Sequence, residues 1–340
     1  MKTYIPYSLL LAAAASGLAL GQTAYTTPVG YVSLSIGSVP GTAVPANSDA
    51  SISLPLDRSV EFSGVVSSVT GNQITIAGSP NLGNYAVAGV PHLAKLSSGV
   101  KSGLQGLITV NTANSVTISV PTGDSLAGVL AGNKISIIKA WTPLALFGAT
   151  PPAAGTQILG YSGLNPGINL GIDITYEYDG TNWVDVNSFD NADNAVLYQG
   201  ESLTIRNSAP TAIASLIISG TVTVANSRIV ISNLSAGVGQ DNAITYMGTV
   251  PETLNNSGIS AIATAGDQIL AIDNTTLGIN KGISTTIEFD GSAWIDVNSF
   301  NDVTATFAMQ PGVGYFYRRS PSAPAGDVIW TDQPNYVPSL

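Results

Sequence analysis

The sequence contains no cysteine and a single histidine, His92, among its 340 residues. The lack of cysteine excludes disulfide bonds, thiol nucleophiles and thiolate metal sites, and one histidine excludes the histidine-rich zinc sites. A serine–histidine–aspartate triad would need His92, which follows Gly89-Val90-Pro91 in a stretch typical of a surface turn. The chain has no Gly-x-Ser-x-Gly elbow to accompany it. We therefore expect a protein that is not an enzyme.

Charged residues are also scarce, since they make up 9% of the chain, against about 25% in an average soluble domain. The net charge is −10, and the eleven lysines and arginines stand singly apart from Arg318-Arg319. Nucleic acid requires a clustered basic face, so we expect neither nucleic acid nor an anionic membrane surface as a partner. Hydrophobic residues reach 44%, which predicts a folded chain and not a disordered one.

The N-terminus has the pattern of a secretory signal peptide. Lys2 precedes the apolar stretch Ser8–Leu20, and Ala19-Leu20-Gly21 places small residues for cleavage before Gln22. An uncleaved anchor is the alternative, but about thirteen apolar residues are too few to span a bilayer comfortably. We expect residues 1–21 to be a signal peptide. The mature protein is then secreted, extracellular or at the cell surface, with no membrane span after cleavage.

After Gln22 the chain reads as short strands separated by Gly, Asn, Asp and Pro. Hairpins are predicted over Phe62–Ala77, turning at Gly71-Asn72, and over Leu107–Val120. This spacing predicts an all-β fold. It begins with a small β-barrel or sandwich-like domain over residues 22–145, followed by a β-sandwich region over residues 146–340. The Pro- and Gly-rich stretch 150–155 marks the boundary.

One phrase occurs twice, as TYEYDGTNWVDVNSF at residues 175–189 and as TIEFDGSAWIDVNSF at residues 286–300. Neighbouring segments match at the same offset, so a unit of about fifty residues is predicted at about 155–207 and 266–318. Asp179-Gly180 and Asp290-Gly291 are strong hairpin signals. We therefore predict that the same hairpin is built twice.

The aromatic residues of these hairpins have two interpretations. They pack in the core or between sheets, as aromatic side chains at strand spacing usually do, or they stack on sugar rings. The second interpretation makes a polysaccharide a candidate partner. The residues are Tyr176, Tyr178, Trp183, Phe289 and Trp294.

Oxygen-bearing side chains follow each hairpin, and calcium binds six to eight oxygens, often from loops. Asx residues also cap turns without any ion, and the EF-hand glycine and final glutamate are missing here. We expect turn chemistry and no cofactor, with calcium as the open alternative. Its candidate ligands are Asp185, Asn187, Asp190, Asp193, Asp296, Asn298 and Asp302.

Several phrases together resemble one protein family. They are Phe62-Ser63-Gly64, Gly123-Asp124-Ser125-Leu126, Ile137-Ile138-Lys139-Ala140-Trp141-Thr142 and Gly314-Tyr315-Phe316-Tyr317-Arg318-Arg319. The set is similar to that of secreted, uncharacterised β-rich proteins known mainly from Verrucomicrobia and related bacteria, and it covers most of the mature chain. The resemblance implies location and architecture, and it assigns no catalytic residue.

Composition favours a structural role. Lysine, which normally protects exposed strand edges, is rare, while small and β-branched residues are abundant. We expect a secreted, non-enzymatic structural protein of the bacterial cell surface or extracellular matrix that self-assembles into a filament, lattice or coat. Ala24–Ile36 is the candidate edge or exchanged strand. The alternative is a secreted adhesin or carbohydrate-binding module that uses the aromatic residues of the repeated hairpins.

Overall fold

The computed structural model describes residues 29–33, 44–87, 89–148, 150–169 and 171–337. The predicted signal peptide, residues 1–21, lies outside these residues, as do residues 24–28 and 34–36 of the predicted edge segment. Among the described residues, no helix has the length and apolar character needed to cross a membrane.

The described residues form short β-strands joined by turns, together with an α-helix, α1, at Pro143–Phe147 and a 3-10 helix at Ile259–Ala261. The strands before α1 are β1 (Val29–Ser33), β2 (Ser48–Ile52), β3 (Val60–Thr70), β4 (Gln73–Ile76), β5 (His92–Leu96), β6 (Gln105–Asn111), β7 (Ser115–Ser119) and β8 (Lys134–Lys139). The strands after α1, up to residue 245, are β9 (Gln157–Gly160), β10 (Ile174–Tyr178), β11 (Trp183–Asp185), β12 (Leu203–Asn207), β13 (Ile217–Thr221), β14 (Ser227–Asn233) and β15 (Gln240–Thr245). The last strands are β16 (Glu252–Thr253), β17 (Gln268–Ile272), β18 (Ile283–Phe289), β19 (Trp294–Asp296), β20 (Ala308–Met309), β21 (Gly314–Arg319) and β22 (Gly326–Asp332). The predicted all-β fold class is confirmed.

Strands β3 to β8 close into a six-stranded barrel in the order β3-β4-β7-β6-β5-β8. The predicted hairpins over Phe62–Ala77 and Leu107–Val120 are confirmed as β3–β4 and β6–β7. Gly71 takes a positive φ of 57° in the first turn, a conformation that glycine adopts without steric cost. Apolar side chains such as Ile74 and Ile137 are fully buried in the barrel core, so side chains fill the interior.

Strands that precede and follow the barrel in the sequence form one five-stranded sheet, sheet 1, in the order β11-β10-β9-β12-β2. Its edge strand β2 precedes the barrel in the chain and pairs with β12, so the barrel is connected between β2 and β9. The predicted hairpin at Asp179-Gly180 is β10–β11, in which Tyr178 faces Trp183. The proposed domain boundary near residue 145 falls within α1, and the division into domains stays a prediction.

A second five-stranded sheet, sheet 2, has the order β15-β21-β17-β18-β19. In this order β17, β18, β19 and β21 correspond to β9, β10, β11 and β12, and β15 corresponds to β2. The two copies of the sequence phrase therefore lie in corresponding strands of the two sheets. The two-stranded pairs β1–β13, β14–β22 and β16–β20 complete the described strands, and the arrangement is consistent with the predicted β-sandwich.

A charged contact, clamp 1, joins a loop of sheet 2 to the edge of sheet 1. Arg206 of β12 donates to both carboxylate oxygens of Asp49 in β2, each at 2.8 Å, and to Oδ1 of Asn280 at 2.6 Å. Asn280 lies in the β17–β18 loop, and its backbone N–H donates to Asp49 at 2.7 Å. Such charge-assisted, two-point arginine–carboxylate bonds fix geometry as well as add stability.

Clamp 2 is the equivalent contact, in which a loop of sheet 1 meets the edge of sheet 2. Arg318 of β21 donates to the two carboxylate oxygens of Asp241 in β15 at 2.7 and 3.0 Å, and to Oδ1 of Asn169 at 2.6 Å. Asn169 lies in the β9–β10 loop of sheet 1, and its backbone N–H donates to Asp241 at 2.7 Å. Each sheet thus inserts one loop into an arginine–aspartate pair of the other.

Two further charged contacts join the barrel to the segment after β2 and to β14. Lys95 of β5 donates to both oxygens of Asp57 at 2.8 Å, and all but a small fraction of both side chains is buried. Asp124, in the barrel segment that follows β7, accepts from Lys101 at 2.6 Å and from Arg228 of β14. Because these side chains are largely buried, removing one partner would leave a charge without compensation.

Candidate functional site

The tryptophans predicted for the hairpins are core residues. Trp183 is 2% exposed and Trp294 is 0% exposed. The rings of Tyr178 and Phe289 pack against them with centroids 5.5 and 5.1 Å apart, and Tyr176 is half-buried beside the first core. Their burial favours the first of the two interpretations, core packing, over sugar stacking.

His92 was expected in a surface turn, and that prediction is wrong. It lies in β5 with 8% of its surface exposed, and its ring meets Tyr85 edge to face at 5.1 Å. Burial is the largest cause that lowers the pKa of the imidazole, so it favours the neutral ring. Its Nδ1 has no hydrogen-bond partner among the described residues, and no carboxylate pairs with it there.

Four of the five acidic side chains proposed as calcium ligands accept backbone N–H groups; they are Asp185, Asp193, Asp296 and Asp302. Asp193 accepts the backbone N–H of Trp183 at 2.8 Å, while Thr304 does the same for Trp294 through its hydroxyl, also at 2.8 Å. Asp302 accepts the backbone N–H of Thr304 at 2.9 Å. In the described part of the chain, no three Asp, Glu, His or Cys side chains gather where they could hold a metal ion.

The loop Asp185–Asp190, here called tip 1, closes on itself directly after β11. The N–H of Asp185 donates to the carbonyl of Asp190 at 2.9 Å, and the N–H of Phe189 donates to the carbonyl of Asp185 at 2.8 Å. The carboxylate of Asp185 accepts the N–H groups of Asn187 and Ser188 at 2.8 and 3.3 Å. This is an Asx turn, and it fixes the backbone of the loop.

The loop Asp296–Asn301, tip 2, follows β19 and has the same bonds. The N–H of Asp296 donates to the carbonyl of Asn301 at 3.0 Å, and that of Phe300 donates to the carbonyl of Asp296 at 2.8 Å. The Asp296 carboxylate accepts the N–H groups of Asn298 and Ser299 at 2.8 and 2.9 Å. These N–H groups lower the pKa of Asp296. Its carboxyl group therefore stays ionised and keeps the turn closed.

Each tip presents an aromatic ring to solvent. Phe189 and Phe300 are both 81% exposed, and Val186 and Val297 beside them are both 39% exposed. The two phenylalanines have positive φ values of 62° and 58°. A bulky residue rarely adopts this left-handed conformation, and such strain typically persists where the surrounding structure enforces it at a functional site. The hydrogen bonds within each tip therefore fix a loop conformation that directs an aromatic side chain into solvent.

Sequence reasoning treated these phenylalanines only as the end of the repeated phrase. The available signal was an aromatic residue directly after Asn-Ser in both copies, at a place where a turn was already predicted. Aromatic side chains contribute much of the core of a protein, and nothing in the local pattern distinguishes a buried ring from one that faces solvent.

A second feature is a cavity of about 380 Å³, the junction cavity, where the barrel and the two sheets meet. Its wall includes barrel residues 119–122, the segment Tyr161–Leu164 and Glu201 from sheet 1, and Ala243 from sheet 2. Tyr161 packs edge to face on Phe316 at 4.9 Å. Burial raises the pKa of Glu201 to about 7.

No protein-family model matches the chain, and neither does any curated protein or any solved structure.

Proposed function

We propose that this chain is a secreted, non-enzymatic structural protein of the bacterial cell surface or extracellular matrix that associates with itself. The observation that carries the proposal is the pair of tips with exposed, left-handed Phe189 and Phe300. Each left-handed backbone costs on the order of 1–3 kcal/mol. Burying a phenylalanine against a partner contributes about 1.5–3 kcal/mol, so each exposed ring favours association.

The positions of the tips suit a molecule that is joined at two ends. Tip 1 follows β11 and tip 2 follows β19, which are edge strands of sheet 1 and sheet 2. Clamp 1 and clamp 2 lie at the opposite edges, at β2 and β15. A molecule with a matching contact on each outer edge extends in two directions, as filaments and lattices require.

Strand β1 offers a second contact of a different kind. It pairs only with β13 among the described strands, and its side chains Val29 and Tyr31 are 80% and 75% exposed. An edge strand without charged side chains is a template for backbone pairing with another chain. The described part of the predicted edge segment therefore supports the proposed self-association.

Negative-stain electron microscopy and light scattering of the purified chain test the proposal. We expect ordered particles from the parent chain and dispersed monomers from the double variant Phe189→Asn, Phe300→Asn. Asparagine accepts the left-handed conformation, so the variant should be at least as stable as the parent. Leu130→Asn is the matched control, because Leu130 is 67% exposed but lies outside the tips. Unchanged particles from the double variant would exclude the tips as assembly contacts.

Tyr31→Lys tests the edge strand separately. A lysine at this position blocks backbone pairing between edges while leaving the tips intact. We expect smaller particles from this variant, measured by light scattering. Loss of assembly in the tip variant alone would restrict the contact to the tips.

The second candidate function is an adhesin or carbohydrate-binding module, for which we propose the tips as the sugar-binding surface. Exposed aromatic rings bind sugars by stacking, and Phe189 and Phe300 have the polar side chains of Asn187 and Asn298 within the same short loops. A parent chain that stays monomeric but binds a polysaccharide on a glycan array favours this function. The binding should then be lost in the Phe189→Asn, Phe300→Asn variant.

A further inference from the structure

The edge of sheet 1 is closed by a side-chain amide from sheet 2. Oδ1 of Asn274 accepts the backbone N–H of Ser51 in β2 at 2.9 Å, and Nδ2 of Asn274 donates to the carbonyl of Ser51 at 2.7 Å. A primary carboxamide fits this place because its oxygen and one N–H lie side by side. Ser51 is almost fully buried.

The corresponding residue on the edge of sheet 2 is Ala243. Asp49 and Asp241 pair with the arginines of clamps 1 and 2, and each donates its backbone N–H outward to a loop carbonyl, of Gly278 and of Gly167 respectively. In an antiparallel strand, residues two apart direct their N–H and C=O groups to the same side. Ala243, two residues after Asp241, therefore directs both groups away from β21, as Ser51 does from β12.

At the sequence position that corresponds to Asn274, the loop of sheet 1 has Gly163. The two residues stand at the offset of the repeated phrase, each in the loop that leads to a clamp. A Cβ atom at Gly163 would meet no atom within 4 Å. Gly163 and Ala243 both line the junction cavity. Within the described residues, no hydrogen bond is found to the N–H or C=O group that Ala243 directs away from β21.

We propose that the junction cavity binds a primary carboxamide, which takes the place at Ala243 that the Asn274 side chain takes at Ser51. The ligand oxygen accepts the Ala243 N–H, and a ligand N–H donates to the Ala243 carbonyl. The rest of the ligand lies against Tyr161, Val230 and Leu234, which line the same cavity. The ligand is a free small amide or the asparagine or glutamine side chain of a peptide.

Nuclear magnetic resonance titration of the full chain tests the proposal, with the Ala243 amide as the reporter. Propionamide should shift this resonance with millimolar affinity. N,N-dimethylpropionamide lacks the N–H groups, so it should bind at least about tenfold more weakly, since it leaves the Ala243 carbonyl without its partner. A short peptide that contains asparagine is compared with its aspartate counterpart. Tighter binding of the asparagine peptide than of propionamide would identify a protein segment as the natural ligand.

Gly163→Asn supplies the decisive variant, because it introduces a tethered carboxamide into the wall of the junction cavity. Gly163 has a φ of 66°, which asparagine tolerates. We expect propionamide binding to fall at least about tenfold and Tm to rise by about 1–3 °C. Gly282→Asn is the control, since Gly282 has open space around it and lies outside the junction cavity.

Equal binding of the two amides, or unchanged binding in Gly163→Asn, would overturn the proposal, as would no shift of Ala243 with propionamide. The variant leaves both tips untouched. Its effect on amide binding is therefore separate from the proposed self-association, and either conclusion can fail without the other.

Discussion

Replacing Glu201 by glutamine should stabilise the protein above neutral pH and leave its stability unchanged near pH 4. Burial raises the pKa of this carboxyl group from 4.5 to about 7. The unfolded chain therefore releases the proton at lower pH than the folded protein does. Between about pH 4.5 and 7 the folded state holds more protons, so its stability falls as pH rises through this window and stays lower above it.

The size of the effect follows from the two pKa values. A difference of one in pKa corresponds to about 1.4 kcal/mol, so the change from 4.5 to about 7 corresponds to about 3 kcal/mol. This is an upper value, because Glu201 is only partly buried and lines the junction cavity. Glutamine is neutral at every pH and has nearly the same shape, so it removes the ionisation cost alone.

Urea unfolding followed by tryptophan fluorescence measures the free energy of unfolding at several pH values between about 4 and 8. The difference between Glu201→Gln and the parent chain should grow from near zero to at most about 3 kcal/mol. Glu201→Val is a second neutral replacement, chosen because Val313 stands at the corresponding position before β21. Its difference from the parent chain in free energy of unfolding should increase with pH by the same amount. A difference that is constant across this pH range would refute the reasoning, since it would mean that water solvates the carboxylate in the folded protein.

Three further substitutions test the fold. Asp241→Asn should lower the free energy of unfolding by about 2–4 kcal/mol, because it leaves the clamp 2 arginine without its charged partner; a loss below about 0.5 kcal/mol in urea unfolding would contradict this. Trp183→Ala should cost about 3–5 kcal/mol by emptying the core of sheet 1, measured in the same way. Gly220→Ala should lower Tm clearly, since its Cβ would clash with the carbonyl oxygen of Asp57. Gly282→Ala, with open space around it, should leave Tm nearly unchanged.

The strands and their turns followed from local pattern. Alternating apolar residues between Gly, Asn and Asp gave the barrel hairpins at Gly71-Asn72 and the hairpin at Asp179-Gly180. These features are readable because a two-residue period and a turn residue act over only a few positions. Helix α1 was missed, since five residues are too few to show a helical period.

The candidate site was less readable. Trp183 and Phe189 belong to one repeated phrase and are both aromatic, yet one is buried and the other is 81% exposed. Their difference depends on how the loop after β11 closes, through the carboxylate of Asp185. Composition gave no sign of this, because hydrophobicity describes a side chain and not the direction in which a loop holds it.

The sequence by itself determined the all-β class, the position of the hairpins and the doubling of one phrase, because each rests on short-range residue patterns. Only the tertiary structure decided that β2 joins the sheet formed by β9 to β12 across the intervening barrel. It also decided that Asp49 meets Arg206 and Asp241 meets Arg318. These contacts join residues 157 and 77 positions apart. Strand pairing and clamp formation of this kind depend on which surfaces the folded chain brings together. A short-range residue pattern does not specify contacts between residues that are distant in the sequence.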